Sequence, residues 1–542
     1  LTMKKYIALI LFAVLFYPSY IVTQITLIIS ELAPAHRTYY DIQSNGSSHL
    51  IQMDPNLISN IHAVFQCSPL SDSLNSSRRV IYCYSNNNGT SWDDYGPMTS
   101  QYRSGFPVIR ILSDGCALIG LNANMGTGIE RAQWFADVAP GAGTFTWLDP
   151  GVSGTGPLLP NGIETSSIIN QTKFVFVAGT LWNRGLNITT PSFSGYTNEP
   201  AISNSFLCAF ARSNNNKIGM AYILHSGVIP GRVLFRESTD NGVFWSEPVL
   251  IWDPAINNGY GAYNGIDMAY TGNSPNIVFE TVKYISNQPD IHSTAFIQFW
   301  SPDVNSGNPL KLDSSNNMTG ANPQADGYAP VCRPVIGKAG IYSTLVAYCK
   351  ARTDVLDSNN YFDVYYRLSS DYGNNWSSPA RITNTSGSLK DNRYVSISSI
   401  NSVTPSPNFH LVYQQDSVPG SFVNGAGRSL AKIMYCKIVL PPPPYGIQNI
   451  GTQLPAFFML KQNYPNPFNP KTNIEFDIPK ESDVRITIYN LSGEICAIPV
   501  DQPLNAGSYK VDWDAGEFAS GVYFYSISAG DFYETKRMIL LK

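Results

Sequence analysis

Charged side chains are scarce in this chain of 542 residues, at 14%, where soluble domains usually have about a quarter. The net charge of −4 gives no indication of a nucleic-acid partner. The sequence has no phosphate-binding loop, no serine-nucleophile elbow and no CxxC pair. The six histidines show no metal-ligand spacing. We therefore assign no catalytic residue, no cofactor and no metal ligand from the sequence.

The residues that are abundant indicate an extracellular all-β protein. Apolar residues make up 43% of the chain and tyrosine occurs 32 times, while Asn, Ser, Gly and Pro separate short apolar runs. We find no convincing amphipathic helix. The length predicts at least two domains.

The start of the sequence predicts a secretory signal peptide over residues 3–23. Met3-Lys-Lys5 is basic, and the apolar run Ile7–Phe16 follows it. Pro18 argues against one continuous membrane helix. A second apolar patch, Ile25–Ile29, leaves an uncleaved membrane anchor as an alternative.

Residues 37–440 read as short strands separated by turn residues, in units about sixty residues apart. Most units open with a small or polar pair: Ser104-Gly105, Asn161-Gly162, Asn264-Gly265, Asp326-Gly327 and Asp391-Asn392. A regular period of this size predicts an array of similar sheets that closes into a β-propeller. We expect six or seven blades, with Thr38–Ile42 supplying the missing strand of the last blade.

One template, Ser-x-Asp-x-Gly-x-x-Trp, occurs three times after strand-like runs, once with Asn in place of Asp. Its residues are Ser85, Asn87, Gly89 and Trp92; Ser238, Asp240, Gly242 and Trp245; and Ser369, Asp371, Gly373 and Trp376. A short Asp or Asn side chain that accepts backbone N–H groups holds a tight turn, and Gly supplies positive φ. We expect each Trp to fold back onto the core of its own sheet. Gly141–Trp147 is a looser fourth candidate.

This template resembles the Asp-box, or BNR, repeat of sialidase-like β-propellers. The resemblance favours six blades, whereas the count of openings favours seven. It also implies that the template residues are structural turns, away from the face that binds ligand.

The end of the chain predicts a short linker and a second domain. Pro441–Pro444 begins a Pro-rich linker over residues 441–460, and alternating strands in residues 461–542 predict a small Ig-like β-sandwich. The residues of the tail's sequence motifs, called the marked residues below, are Tyr464, Pro465, Asn466, Pro467, Phe468, Asn469, Pro470, Gly521, Val522, Tyr523 and Lys536.

This tail closely resembles the type A C-terminal sorting domain of the type IX secretion system. The resemblance implies a Gram-negative cell and a protein that is secreted or held at the outer-membrane surface. It also implies contact with the type IX secretion machinery, and a membrane role only through export or surface anchoring.

The eight cysteines allow two bridges within a sheet, Cys67 with Cys83 and Cys332 with Cys349. Buried free thiols are the interpretation that we favour.

A sialidase-like glycosidase would, by the resemblance, use three arginines, a Tyr–Glu nucleophile pair and an Asp acid. Arginines near predicted strands are Arg37, Arg103, Arg110, Arg333 and Arg393, but the Arg-x-Pro tripeptide of that family is absent. Acidic residues after the openings are Glu164, Asp267 and Asp391, which we expect to bond backbone groups. Trp134, Trp182 and Trp300 are candidate ligand-stacking aromatics, although packing between blades is favoured.

We therefore predict a non-catalytic propeller module that binds a glycan or a protein outside the cell. The alternative is a sialidase-like glycoside hydrolase. Three arginines with a Tyr–Glu pair at one mouth of the propeller would favour the hydrolase.

Overall fold

The computed structural model describes residues 25–39, 49–69, 76–99, 101–126, 131–149, 161–164, 173–177, 181–187, 190, 192–198, 207–213, 215–224, 230–316, 328–340, 343–354, 360–383, 388–402, 406–420, 427, 429–440, 447–450, 455–480, 482–493, 495–504, 506–516 and 518–542. The predicted signal peptide, residues 3–23, lies outside them. Within this part of the chain no helix is long and apolar enough to cross a membrane.

The described strands up to residue 439 form seven sheets, in which neighbouring strands are antiparallel except for the short parallel pair β23–β28. Sheet 1 contains β2 (Ile51–Met53), β3 (Ile61–Cys67), β4 (Arg79–Ser85) and β5 (Asp93–Pro97). Sheet 2 contains β6 (Ser104–Ile111), β7 (Ala117–Ala123), β8 (Arg131–Asp137) and β9 (Phe145–Leu148). Sheet 3 contains β10 (Asn161–Glu164), β11 (Lys173–Val177), β12 (Leu181–Asn187) and β13 (Ser192–Asn198).

Sheet 4 contains β14 (Cys208–Arg212), β15 (Ile218–Leu224), β16 (Arg232–Ser238) and β17 (Val249–Trp252). Sheet 5 contains β18 (Tyr260–Thr271), β19 (Ser274–Ile285), β20 (Gln288–Asp290), β21 (Ala295–Trp300) and β22 (Leu310–Ser315), with a 3-10 turn at Asn305–Gly307. Sheet 6 contains β23 (Val331–Ala339), β24 (Ser343–Ala351), β25 (Phe362–Ser369) and β26 (Ala380–Arg381), with β28 (Ile400–Asn401) beside β23. Sheet 7 contains β27 (Asp391–Ile397), β29 (Asn408–Asp416), β30 (Lys432–Val439) and β1 (Thr26–Glu31).

The sheets form a closed ring because the first strand of each contacts the first strand of the next, and β2 of sheet 1 contacts β27 of sheet 7. Strands such as β3 and β7 are buried along their whole length, which explains their nearly continuous apolar sequences. The propeller expectation is confirmed. The described strands up to residue 439 give seven sheets.

The strand that closes the ring is β1, which pairs with β30 from Thr26↔Val439 to Glu31↔Met434. The closing strand was expected at Thr38–Ile42, of which residues 40–42 lie outside the described residues; Thr38 makes an isolated bridge to Ala431. The propeller therefore begins before residue 37. The apolar patch Ile25–Ile29, considered above as an anchor, contributes to this outer strand, because a strand at the rim of a propeller also needs β-branched apolar residues.

The C-terminal sandwich has two sheets. The first contains β31 (Ile447–Asn449), β32 (Met459–Leu460), β33 (Lys471–Ile478) and β36 (Gly507–Asp514), and the second β34 (Ser482–Tyr489), β35 (Ile495–Leu504), β37 (Gly521–Ala529) and β38 (Phe532–Leu540). Their facing side chains form a core separate from that of the propeller. The predicted linker of 441–460 was too long, since β31 and β32 already belong to the sandwich.

The eight cysteines are free thiols, seven of them buried. Cys67 lies opposite Arg79 and Cys83 opposite Ala63, so the first proposed bridge is out of register. Cys332 lies directly opposite Cys349.

Each sheet presents its two ends differently. Since neighbouring strands are antiparallel, the start of the first strand, the end of the second and the start of the third share one end, which we call the entry end. The turn between the third and fourth strands lies at the opposite end, which we call the turn end.

Candidate functional site

Four of the seven first strands carry a β-bulge close to the entry end, in β6, β18, β23 and β27. Phe106-Pro107 lies opposite a single residue of the next strand, as do Arg333-Pro334 and Tyr394-Val395. In β18 three residues, Tyr263 to Gly265, face one residue, Glu280. Bulges redirect side chains and are common next to active sites. These four segments are called the bulge ring below.

Three members of the bulge ring hold left-handed backbone conformations that bulky residues rarely adopt. The φ angles are +52° at Phe106, +54° at Arg333 and +58° at Tyr394. Such a conformation costs about 1–3 kcal/mol and is found most often at ligand-binding and catalytic sites. Repetition at the same place in three sheets therefore marks the entry end as the candidate site.

The preceding sheet holds each of two bulges through a side chain of its second strand. The Gln66 amide oxygen accepts the backbone N–H of Phe106 at 2.9 Å. The Glu280 carboxylate accepts the backbone N–H of Arg333, and of Asn264 in its own sheet at 3.0 Å. These bonds join neighbouring sheets where the backbone is most strained.

Glycines allow the close approach that these bonds need. A Cβ at Gly105 would lie 2.5 Å from Gln66 Oε1, and one at Gly265 would lie 2.8 Å from Glu280 Oε2. Gly105 and Gly265, both from the predicted openings, are thus required by close contacts at the entry end.

Two arginines and three aromatic rings pack together beside the bulges of sheets 6 and 7. The guanidinium groups of Arg333 and Arg393 lie 5.4 Å and 5.0 Å from the Tyr328 ring centre, and Arg393 lies 4.4 Å from that of Phe362. The Tyr394 ring meets the Tyr328 ring edge-on at 5.5 Å. The buried Tyr328 hydroxyl and Arg333 Nε have no hydrogen-bond partner among the described residues. Unsatisfied buried groups of this kind are rare in proteins and are frequent at functional sites.

A tyrosine and a glutamate face each other across the β18 bulge at this end. Burial raises the pKa of the half-buried Tyr263, and the negative charge of Glu280 raises it further. Burial also raises the pKa of Glu280, an effect that Arg333 opposes. Because the Glu280 carboxylate already accepts two backbone N–H groups, its first role is to hold the bulges.

The structure brings two of the five candidate arginines into this cluster. Arg37 is outside it, bonded to Glu31 at 2.8 Å. Arg110 is buried inside the ring, where it donates to Gly162 O and to Asn161 Oδ1. Arg103 directly precedes β6. The arrangement therefore has two arginines in described contact with Tyr328, while no described hydrogen bond joins Tyr263 to Glu280.

Two of the three acidic candidates bond backbone groups. Asp267 accepts the N–H of Ile336 at 2.9 Å and lies 3.2 Å from His49 Nε2, so it joins sheets 1, 5 and 6 inside the ring. Asp391 accepts the N–H of Phe362 at 2.7 Å and contacts Arg393 at 2.5 Å. The side chain of Glu164 lies outside the described residues.

Two of the three candidate tryptophans pack between sheets. Trp134 meets Phe174 edge-on at 4.8 Å, and Trp300 lies 6.0 Å from the Phe235 ring. Both are buried, so neither is a ligand platform in this structure. The side chain of Trp182 lies outside the described residues.

The Asp-box residues lie at the turn end, in the hairpins that follow β4, β16 and β25. Ser369 Oγ accepts the N–H of Gly373 at 2.9 Å, and Asp371 Oδ1 accepts that of Asn375 at 2.9 Å. The corresponding bonds of Ser85 and Asn87 and of Ser238 and Asp240 are also present. These residues hold turns far from the bulge ring.

The Trp side chains of two boxes pack on the preceding sheet, which corrects the expectation that each packs on its own. Trp92 meets Tyr435 of sheet 7 at 5.1 Å, and Trp376 meets Phe299 of sheet 5 at 5.0 Å. The looser candidate Gly141–Trp147 does not follow this arrangement, because the Trp147 side chain is exposed.

In the sandwich, the marked residues gather around one edge. Phe468 is buried and lies 5.5 Å from Trp513, while Tyr464 is 77% exposed. Asn466 Oδ1 accepts the N–H of Ile539, which ties the 464–470 segment to β38. Gly521, Val522 and Tyr523 open β37, and Lys536 contacts Glu534 at 2.8 Å.

Residues 462–541 match the family described as "Secretion system C-terminal sorting domain". The tail is a sorting domain of the type IX secretion system. Its presence implies interaction with the type IX machinery and export to the cell surface or beyond. No curated protein matches the chain.

Solved structures similar to most of the chain include glycan-active enzymes. A polysaccharide lyase, "PL25-Ulvanlyase", is 10% identical, covers 72% of this chain and 94% of its own, and has a TM-score of 0.44. An exo-β-1,3-galactanase from Clostridium thermocellum is 11% identical, covers 76% of this chain and 100% of its own, and has a TM-score of 0.30. A Trypanosoma rangeli sialidase is 8% identical, covers 94% of this chain and 88% of its own, and has a TM-score of 0.36. Sequence identities and TM-scores this low carry no information about the substrate.

Sequence reasoning missed Tyr263, Glu280, Tyr328 and Tyr394. The opening Asn264-Gly265 lies within its bulge, and the opening Asp391-Asn392 lies just before its own. The sequence therefore marked these positions, but it could not show that they are bulges, because a bulge is defined by the register between two strands.

Proposed function

We propose that this exported propeller is a non-catalytic binding module whose entry end takes a glycan outside the cell. The bulge ring carries the proposal. It places the half-buried side chains of Phe106, Tyr263 and Arg333 at one end of the ring. The backbone of Phe106 and of Arg333 is strained there and is held by the preceding sheet. Rigid aromatic side chains and an arginine are the groups that anchor most recognition sites.

Binding of the full chain to immobilised glycans tests the proposal. Tyr263→Ala should weaken binding about tenfold or more, because an aromatic anchor contributes at least 1–2 kcal/mol. Tyr260→Ala is the matched control, since Tyr260 lies three residues earlier in β18 and packs on Phe296 at 5.0 Å. Equal losses in the two variants, or a folded chain that binds no glycan and captures a protein instead, would refute the glycan proposal.

A sialidase-like glycoside hydrolase is the second candidate, because Tyr263, Glu280 and Arg333 lie together. Turnover of a fluorogenic sialoside or of another glycoside by the full chain would favour it. That turnover should disappear in Tyr263→Phe if the phenol is the nucleophile. Absence of turnover across the panel, with glycan binding retained, would leave the binding module.

A further inference from the structure

We infer that a cavity in sheet 6 takes an anionic group of the bound saccharide, a sulfate ester or a carboxylate; this inference rests on the proposed function. The cavity is open to solvent, has a volume of about 330 Å³ and is lined by Lys350, Arg352, Asp354, Tyr365 and Arg381, with Thr353 and Ala351. It adjoins the bulge ring, because Lys350 lies opposite Val331, two residues before Arg333.

Each of the three cations in the lining pairs with a carboxylate, but two of these carboxylates, Asp313 and Asp363, are not lining residues. Asp313 holds the Lys350 ammonium with both oxygens at 2.9 Å. Asp363 is fully buried and contacts Arg381 at 3.1 Å. The lining itself therefore presents three cations and one carboxylate, Asp354, which pairs with Arg352 at 2.9 Å.

Arg381 is the residue best placed to bind a ligand. Its side chain is 37% exposed and donates from Nη1 to Asp363. Its other N–H groups have no partner among the described residues. A guanidinium fork fits the paired oxygens of a carboxylate or sulfate, which accept hydrogen bonds and donate none.

Tyr365 adds a surface for a sugar ring. Its half-buried ring stacks on Tyr348 at 6.2 Å, and the Lys350 ammonium lies 5.7 Å from its centre. Tyr365 also lies opposite Arg381 in the β25–β26 ladder, so the ring and the guanidinium group approach one site. An aromatic face beside a cation suits a charged saccharide unit better than a free inorganic anion.

Hydrogen bonds connect the cavity to the bulge ring. Asn392 Nδ2 donates to Asp363 Oδ1 at 3.2 Å, and Asn392 immediately precedes Arg393 in β27. One saccharide chain that reaches both places would thus contact two parts of a single hydrogen-bonded network.

The test measures, by calorimetry, binding of the full chain to soluble fragments of two matched pairs of polysaccharides. One pair is sulfated agarose and agarose; the other is polygalacturonate and its methyl ester. We expect the charged member of at least one pair to bind about tenfold tighter, with an affinity that falls as salt rises. Which pair responds distinguishes sulfate from carboxylate.

Arg381→Gln should remove that preference, and Arg381→Lys should retain part of it because the charge remains without the fork. Lys217→Gln is the control, since Lys217 pairs with Glu237 at 2.8 Å in sheet 4, much as Lys350 pairs with Asp313. Equal binding of charged and neutral members, or an unchanged preference in Arg381→Gln, would overturn the inference while the glycan proposal stands. Failure of the folded chain to bind any glycan would overturn both.

Discussion

The Glu280 carboxylate of sheet 5 accepts the backbone N–H of Arg333 in sheet 6, and the amide oxygen of Gln66 does the same for Phe106 between sheets 1 and 2. In both cases a side chain from the second strand of one sheet holds a strained bulge in the first strand of the next. The bulge ring therefore depends on contacts between sheets, and a change at either acceptor should affect both stability and binding.

Replacing Glu280 by Gln tests this dependence. The amide retains one acceptor oxygen, so one of the two N–H groups, of Arg333 or Asn264, loses its partner. We expect the free energy of unfolding to fall by about 1–3 kcal/mol, the cost of a buried unsatisfied group. Chemical denaturation of the full chain measures it. Glu475→Gln in the sandwich, where the side chain is 39% exposed, should change little.

Two buried histidines should make the propeller sensitive to acid. His62 and His410 bond the Tyr82 and Tyr435 hydroxyls at 2.8 Å and 2.7 Å, and burial lowers both pKa values to about 3. A base whose folded-state pKa is depressed contributes stability that is present above pH 6.5 and is lost as the pH falls towards 3.

Each histidine should therefore cost roughly 2 kcal/mol of unfolding free energy at pH 5, at about 1.4 kcal/mol per pH unit. His410→Gln should reduce the loss measured between pH 7 and pH 5 by that amount. The exposed His292→Gln is the control. Equal pH dependence in the wild type and His410→Gln would show that His410 titrates normally.

The fold was largely predictable from the sequence, whereas the candidate site was not. Short strands, the three Asp-box copies and the tail motif reflect local hydrogen bonding and the alternation of apolar and polar residues, which depend on residues close together in the sequence. Arg393 contacts Tyr328, and Glu280 contacts Arg333, across more than 40 residues of chain, and no local pattern encodes such contacts. The closing strand was missed for the same reason, since its partner lies about 400 residues away.

The Asp-box turns should stabilise the propeller without affecting ligand binding. Asp371→Ala removes the acceptor of the Asn375 N–H and of the Ser369 hydroxyl at 2.8 Å. We expect a loss of about 1–2 kcal/mol in unfolding free energy and unchanged glycan affinity, because this hairpin lies at the turn end. Asp303→Ala, in an exposed loop, should be neutral. Reduced affinity in folded Asp371→Ala would contradict the assignment of the entry end.

The thiols should differ sharply in reactivity. Burial raises the pKa of Cys67, Cys116, Cys208, Cys349 and Cys436 to about 12, so they remain protonated and inaccessible in the folded chain. Cys496 is half-buried and should be alkylated first by iodoacetamide at pH 8. Peptide mass spectrometry before and after unfolding measures the order. Modification of Cys208 at the rate of Cys496 in the native protein would contradict it.

The β1 strand should decide whether the ring stays closed. A chain that begins at residue 37 lacks Thr26–Glu31, so β30 loses its outer partner and exposes an unpaired edge. We expect the free energy of unfolding to fall by on the order of 3 kcal/mol or more, from about 0.5–1.5 kcal/mol for each lost hydrogen bond, and the protein to aggregate. Light scattering and denaturation should be compared with a chain that begins at residue 25. Since β1 is at the rim of sheet 7, equal stability of the two chains would mean that ring closure rests on the contact between β2 and β27 alone.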